Sequence, residues 1–193
     1  MSKIIHQFWN TSIAPSVYSQ YTDEWKDMYP DWEYKLWSYD TASYLLSNSS
    51  IDQRLLQYDI QKWDLLKLLI CLEFGGIYVD LDVQPIQRIN IDNNLNYFTY
   101  ESIDTTTNLY LHHNFFYSPR QSRFLKFIIK HIDKYFDGAR FNELSNKPKN
   151  IKVRDTTGPI PLTALYSQYF KKDEIVLLHP ENFMFHHNHK TWF

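Results

Sequence analysis

A length of 193 residues fits one domain, which at this size buries roughly 70% of the surface that the unfolded chain exposes. The aromatic content of 18% excludes a disordered chain, and the net charge of −2 gives no basic footprint for a nucleic acid. We therefore expect a single domain over residues 1–193, with no nucleic acid among its partners.

The hydrophobic pattern predicts strands that alternate with helices. The predicted strands cover residues 3–9, 33–37, 77–79, 97–101, 108–117 and 175–178. The predicted helices lie between Pro15 and Pro30 and over residues 42–46, 60–74, 122–136 and 159–169, with Asp40 as the cap of the second. Residues 138–156 are polar and irregular, so we expect a loop there. This alternation is typical of an α/β protein whose central sheet is mostly parallel and flanked by helices.

The single cysteine, Cys71, excludes an intramolecular disulfide and favours a reducing compartment. The N-terminus lacks the pattern of a signal peptide. The longest apolar run is far shorter than the ~20 residues of a membrane-spanning helix. We therefore expect no transmembrane segment in this chain.

Two acidic residues, Asp80 and Asp82, follow the apolar strand that ends at Val79. Residues two apart in an extended segment point the same way, so both carboxylates face one side at the carboxyl end of the strand. Carboxylate oxygens that converge in this way suit Mg²⁺ or Mn²⁺, which commonly bridge to a substrate phosphate. A solvated strand end without a ligand is the structural alternative.

Five segments in chain order resemble motif blocks of one enzyme family. They are Ile4–Trp9, Pro30–Trp37, Gly75–Val83, Thr157–Pro159 and His186–Trp192. Together they resemble the DXD glycosyltransferases, and most closely the Och1-like mannosyltransferases and capsular-polysaccharide sugar transferases. The similarity extends distantly to the glucosylating domains of clostridial toxins.

The resemblance implies a GT-A fold and a hexosyltransferase that uses Mn²⁺ or Mg²⁺. Such an enzyme moves a sugar from a UDP- or GDP-sugar to a glycan acceptor, with retention of configuration. It also implies that Asp80 and Asp82 are the catalytic, metal-binding pair. His187 is the implied third metal ligand, with His186 and His189 as alternatives in the same tail.

The same resemblance assigns donor-binding roles to residues spread along the chain. They are Trp9, Asp64, Lys67, Asn114, Gly158 and Trp192. Lys67 stands where the family has arginine, and Trp63 stands where it has a small residue, which predicts a reshaped donor pocket. For Trp9 a place in the core is the alternative, and for Asp64 and Lys67 a simple ion pair on one helix face.

Two other functions remain open from the residues alone. The acidic pair with histidines also fits a metal-dependent phosphohydrolase, and the aromatic residues with a metal fit a non-catalytic carbohydrate-binding module. Golgi relatives of the family carry an N-terminal anchor that this sequence lacks. We therefore expect a cytoplasmic enzyme of a bacterial or virus-infected cell.

Overall fold

The computed structural model describes residues 2–102 and 109–187, and its elements alternate as the sequence predicts. The strands are β1 (Ile4–Phe8), β2 (Glu33–Trp37), β3 (Gly76–Val79), β4 (Val83–Pro85), β5 (Asn96–Ser102), β6 (Leu109–Ser118), β7 (Ile175–Leu178) and β8 (Met184–His186). The helices are α1 (Ser19–Met28), α2 (Tyr39–Ser47), α3 (Asp59–Phe74), α4 (Arg123–His131), α5 (Gly138–Glu143), α6 (Lys149–Thr156) and α7 (Pro159–Gln168). Short 3-10 turns cover Ser16–Tyr18, Gln53–Leu55, Ile132–Tyr135, Lys172–Glu174 and Pro180–Asn182.

A six-stranded sheet in the order β2-β1-β3-β6-β5-β7 forms the centre of the fold. The pairings of β1 with β2, β1 with β3 and β5 with β7 are parallel, as expected. Strand β6 runs antiparallel to both of its neighbours, β3 and β5. The sheet is therefore mixed, and the carboxyl ends of β1 and β3 share one edge.

The core lies on both faces of this sheet. One cluster joins the sheet to α2, α3, α4 and α7, with Leu66, Tyr78 and Phe116 among its fully buried members. The other cluster lies beneath α1 and includes Trp25 and Phe115. Helices thus cover both faces, as in an α/β sandwich.

Two details of the predicted elements are wrong. The expected loop over residues 138–156 contains α5 and α6, because short polar helices carry little hydrophobic periodicity. Asp137 caps α5 by accepting a hydrogen bond from the Arg140 amide. Helix α2 is capped by Ser38 rather than Asp40, and Ser38 and Thr41 form a reciprocal capping box.

The turn between α3 and β3 depends on glycine. Gly76 has a φ of +113°, and a Cβ at this position would lie 2.4 Å from the carbonyl oxygen of Ile4 on β1. Buried His6 bonds this turn, with its Nε2 2.9 Å from the Gly75 carbonyl oxygen, while its Nδ1 accepts from Trp37 Nε1 at 3.1 Å. Burial lowers the pKa of His6 to about 4, so it is a neutral structural residue.

A small second sheet pairs β4 with β8 in antiparallel register, with Val83 opposite His186. Trp25 on α1 fixes β4 by donating from Nε1 to the Val83 carbonyl at 2.8 Å. This pairing brings the C-terminal histidines to the segment that follows Asp82. Among the helices of the described ranges, none combines the length and the apolar character needed to cross a membrane.

Candidate functional site

A cleft of about 440 Å³ opens at the carboxyl ends of β1 and β3. Its walls come from parts of the chain that are distant in sequence: the end of β1, helix α3, the acidic pair, strand β6, and the α6–α7 connection. The predicted residues among its lining are Trp9, Asp64, Lys67, Asp80, Asp82, Asn114 and Gly158. The sequence predictions therefore converge on one cavity.

Asp80 lies directly after β3, where the backbone still pairs with β6. Its amide donates to the Asn114 carbonyl at 2.8 Å. Its Oδ1 lies 2.9 Å from Lys67 Nζ and accepts from the Tyr78 hydroxyl at 3.1 Å. These contacts fix one carboxylate oxygen at the floor of the cleft.

Asp82 is positioned by the turn into β4 and by the pairing of β4 with β8. The Val83 amide donates to the Asp80 carbonyl, and the His187 amide donates to the Asp82 carbonyl at 2.9 Å. This register places His186 Nε2 3.3 Å from Asp82 Oδ1. Both side chains of the acidic pair are mostly buried yet reach the cleft.

Helix α3 buries a charged pair among its apolar residues. Lys67 Nζ lies 3.6 Å from Asp64 Oδ1 and is closer to Asp80, so the ammonium group bridges two carboxylates. Asp64 Oδ2 accepts from the Thr157 hydroxyl at 2.9 Å. The pair is buried, unlike an exposed ion pair on a helix face, and it connects α3 to the acidic pair and to the α6–α7 connection.

The ionisation of this cluster follows from burial and from its charges. Burial raises the pKa of Asp64 to about 6, because it outweighs Lys67 and the Thr157 hydrogen bond, which both act to lower it. Burial disfavours the charged form of Lys67, but Asp80 and Asp64 outweigh it and raise the pKa of the ammonium group. Lys67 is therefore a fixed positive charge in the cleft.

His113 on β6 faces the same buried charges. Its Nε2 lies 3.5 Å from Asp64 Oδ1 and makes no hydrogen bond to any residue that the structure describes. Burial and the positive charge of Lys67 lower its pKa to about 3, so the imidazole is neutral. A polar atom without a partner at the wall of a cleft is available to a ligand.

His187 is not among the residues that line the cleft. Its ring stacks on Tyr21 at a centroid distance of 4.4 Å, and its Nε2 lies 3.1 Å from Gln84 Oε1. The structure brings the imidazole of His186 to Asp82 Oδ1, and the ligand role of His187 stays a prediction. Trp192 and His189 lie outside the described residues.

Trp9 is partly exposed at the end of β1, with its ring 5.9 Å from that of Tyr18. It lines the cleft instead of packing in the core. Gly158 precedes α7, where a Cβ would lie 2.8 Å from the Cα of Arg154. Glycine at this position lets the α6 and α7 backbones approach closely and form one wall of the cleft.

Residues 15–102, which include the acidic pair and α3, match a family model described as the glycosyltransferase sugar-binding region containing DXD motif. This part of the chain is therefore similar to the DXD region of glycosyltransferases. An inositol phosphoceramide mannosyltransferase of Schizosaccharomyces pombe is 26% identical over 174 residues, covering 88% of this chain. A mannosyl phosphorylinositol ceramide synthase of Saccharomyces cerevisiae is 27% identical over 175 residues, covering 86% of the chain.

This chain spans less than half the length of these relatives, 46% of the first and 42% of the second. Two solved structures have a similar fold. The glycosyltransferase PaToxG has a TM-score of 0.60 at 14% identity, with 89% of this chain and 70% of that chain covered. The glycosyltransferase domain of the YGT toxin has a TM-score of 0.61 at 9% identity, with 92% and 79% covered. The fold is therefore that of a GT-A glycosyltransferase.

Several residues that line the cleft were missed by the sequence predictions. Arg154 lines it from α6, where its Nε lies 2.6 Å from Asp155 Oδ1. Arg154 was not predicted as a site residue because residues 138–156 were expected to form a loop. The sequence left both a surface position and a site position possible for His113. The alternation of side chains along β6 would have placed it on the same side of the strand as buried Leu111.

The carboxylates of Asp80 and Asp82 suit a hard divalent cation, which takes oxygen ligands and often binds a phosphate at the same time. Among the described residues no group of three His, Cys, Asp or Glu side chains is arranged to hold a metal. Asp80 and Asp82 are the described residues that would hold such a cation. The chemistry of the cleft fits this arrangement, because Lys67 partly offsets the charge of the carboxylate pair.

Proposed function

We propose that this glycosyltransferase moves a sugar from a UDP- or GDP-sugar to a glycan acceptor with the help of Mn²⁺ or Mg²⁺. Mannose is the first sugar to try, because the relatives described above are named as enzymes that transfer mannose. The observation that carries the proposal is the convergence of the acidic pair, the Asp64–Lys67 pair and Trp9 on one cleft.

The basic residues of the cleft suit the diphosphate of the donor. Lys67 lies at the floor beside Asp80, and Arg154 lines the wall formed by α6. A divalent cation on Asp80 and Asp82 would stabilise the negative charge that the leaving nucleoside diphosphate develops. Lys67 supports the same charge as a point charge, without the bidentate geometry of an arginine.

The sugar of the donor fits the buried end of the cleft. Asp64 Oδ1 and His113 Nε2 offer an acceptor and a ring nitrogen 3.5 Å apart, where a sugar hydroxyl group satisfies both. Trp9, at the end of β1, offers an aromatic face for the base of the nucleotide. We assign these roles to the described residues, and Trp192 keeps its predicted role in donor binding.

Thermal stability with and without ligands tests the proposal. UDP and GDP are each added with Mn²⁺, with Mg²⁺ and with EDTA. We expect one nucleotide to raise the melting temperature only when a divalent cation is present. Release of phosphate from simple esters would instead indicate a phosphohydrolase, and stabilisation by free sugars alone would indicate a carbohydrate-binding module.

A screen of nucleotide-sugar hydrolysis then identifies the donor, and NMR of the product tests the stereochemistry. We propose retention, so an α-linked donor gives an α-linked product. An anomeric proton coupling of the opposite class would show inversion, which requires a base near the acceptor. Glu101 lies outside the residues that line the cleft, and its exposed side chain contacts His112 at 3.2 Å.

A further inference from the structure

A chain of side chains connects the core of the sheet to Asp82. Thr99 Oγ1 lies 2.9 Å from Asn114 Oδ1, and Asn114 Nδ2 lies 3.2 Å from His186 Nδ1. His186 Nε2 lies 3.3 Å from Asp82 Oδ1 at the end of the chain. Thr99 is fully buried and Asn114 nearly so, which shields the contact between these two residues from water.

The chemistry of these groups sets the direction of the hydrogen bonds. The Thr99 hydroxyl has two acceptors, Asn114 Oδ1 at 2.9 Å and the Phe115 carbonyl oxygen at 3.1 Å, and the shorter contact turns the amide NH₂ of Asn114 toward the imidazole. An amide nitrogen only donates, and His186 Nδ1 must therefore accept. A neutral imidazole then holds its proton on Nε2, which donates to Asp82 Oδ1.

We propose that His186 is a positioning residue that orients the Asp82 carboxylate through its Nε2–H, while Thr99 and Asn114 fix the tautomer. This inference rests on the proposed function, because Asp82 is oriented toward a divalent cation. In this arrangement Nε2 is directed at Asp82 Oδ1, so His186 acts on the cation through Asp82.

Mn²⁺ affinity, measured by electron paramagnetic resonance of the free ion with saturating UDP or GDP, tests the role of His186. We expect His186→Leu to weaken binding roughly tenfold or more, the usual cost of losing an orienting partner. His186→Gln should restore most of the affinity, because the glutamine NH₂ replaces Nε2–H as a donor. His131→Leu, on α4 and away from the cleft, serves as the control.

The far end of the chain gives a second test. Thr99→Val is isosteric and removes the hydroxyl that fixes the Asn114 amide, so we expect a smaller but measurable loss of Mn²⁺ affinity. Thr99→Ser keeps the hydroxyl and the affinity. If Thr99 acted only through packing, the valine and serine variants would bind Mn²⁺ equally well, because both keep the backbone of β5.

Nitrogen-15 NMR of histidine-labelled protein reads the tautomer directly. We expect His186 to carry its proton on Nε2, with Nδ1 unprotonated. A proton on Nδ1, or a loss of affinity in His186→Gln equal to that in His186→Leu, would overturn the inference and make His186 a ligand. If the unmodified protein binds no Mn²⁺ with either nucleotide, the metal dependence fails as well. If it binds and His186→Leu binds equally, only the role of His186 fails.

Discussion

Burial determines what each residue of the cleft can do. The sequence places acidic residues at positions 64, 80 and 82, and one basic residue, Lys67, three positions after the first. The i,i+3 spacing predicted a contact between Lys67 and Asp64, but the structure shows that Lys67 also contacts Asp80. That second contact was not predictable from spacing, because β3 and α3 meet only through the fold.

The buried carboxyl of Asp64 should make the stability of the protein depend on pH. Its pKa of about 6 exceeds the ordinary 3.8, so the folded state holds this proton more tightly than the unfolded state. The contribution is fully present below the unfolded pKa and is lost as the pH rises through about 6. Asp64→Asn removes this dependence.

We expect the free energy of unfolding of the unmodified protein to fall relative to Asp64→Asn between pH 4 and pH 7. The difference should be on the order of 1 to 3 kcal/mol, and urea denaturation at several pH values measures it. Asp133→Asn, at an exposed position, is the control. A difference that does not change with pH would show that Asp64 titrates alike in both states.

The positive charge of Lys67 offsets the negative charges of two buried carboxylates. We therefore expect the charge of this side chain to matter more for stability than its shape. Lys67→Met leaves Asp64 and Asp80 without the ammonium group, and we expect a loss of about 3 to 5 kcal/mol in the free energy of unfolding. Lys67→Arg keeps the charge and should retain most of the stability. Equal stability of the methionine variant and the unmodified protein at pH 7 would contradict this account.

Elements differ in how well their sequence identifies them. Helix α3 and strand β3 are apolar and bounded by the Gly75–Gly76 turn, so their predicted bounds agree with the structure to within one residue. Helix α6 is polar, and only its tertiary contacts with α7 and α3 stabilise it. The wall of the cleft that α6 forms was therefore not predictable from hydrophobic periodicity.

Gly158 sets the distance between α6 and α7. In Gly158→Ala the new Cβ would lie 2.8 Å from the Cα and 3.0 Å from the carbonyl oxygen of Arg154, so the two helices must separate. We expect a loss of about 1 to 3 kcal/mol in the free energy of unfolding and a weaker affinity for the stabilising nucleotide. Urea denaturation and calorimetric titration with nucleotide and Mn²⁺ measure the two effects.

Ser167→Ala, on the exposed side of α7, is the matched control for this substitution. This substitution changes α7 on its exposed side and leaves the contact between Gly158 and α6 intact. Unchanged nucleotide affinity in Gly158→Ala would show that the α6–α7 wall does not contact the donor.

At the scale of the whole molecule, the cleft is assembled from segments that are far apart in the chain. Trp9 and Gly158 line the same cavity although most of the sequence lies between them. The resemblance to a family predicted this convergence, whereas residue patterns alone predicted only the alternation of strands and helices. The antiparallel β6 carries Asn114 and His113 into the cleft, and no local signal distinguished its direction from that of a parallel strand.

We propose that residues 1–193 fold as one domain, and the assembly of the cleft makes this testable. A single domain should unfold in one cooperative step, with the same urea midpoint by circular dichroism and by tryptophan fluorescence. Trp9 and Trp63 line the cleft, whereas Trp25, Trp32 and Trp37 are buried in the core. Fluorescence therefore reports on the cleft and the core together, and circular dichroism reports on the secondary structure. Nucleotide with Mn²⁺ should shift both midpoints together. At a ligand concentration of 100 times the Kd, the free energy of unfolding should rise by about 2.7 kcal/mol. Two separate midpoints, or a ligand shift confined to fluorescence, would show that the cleft folds independently of the rest of the sheet.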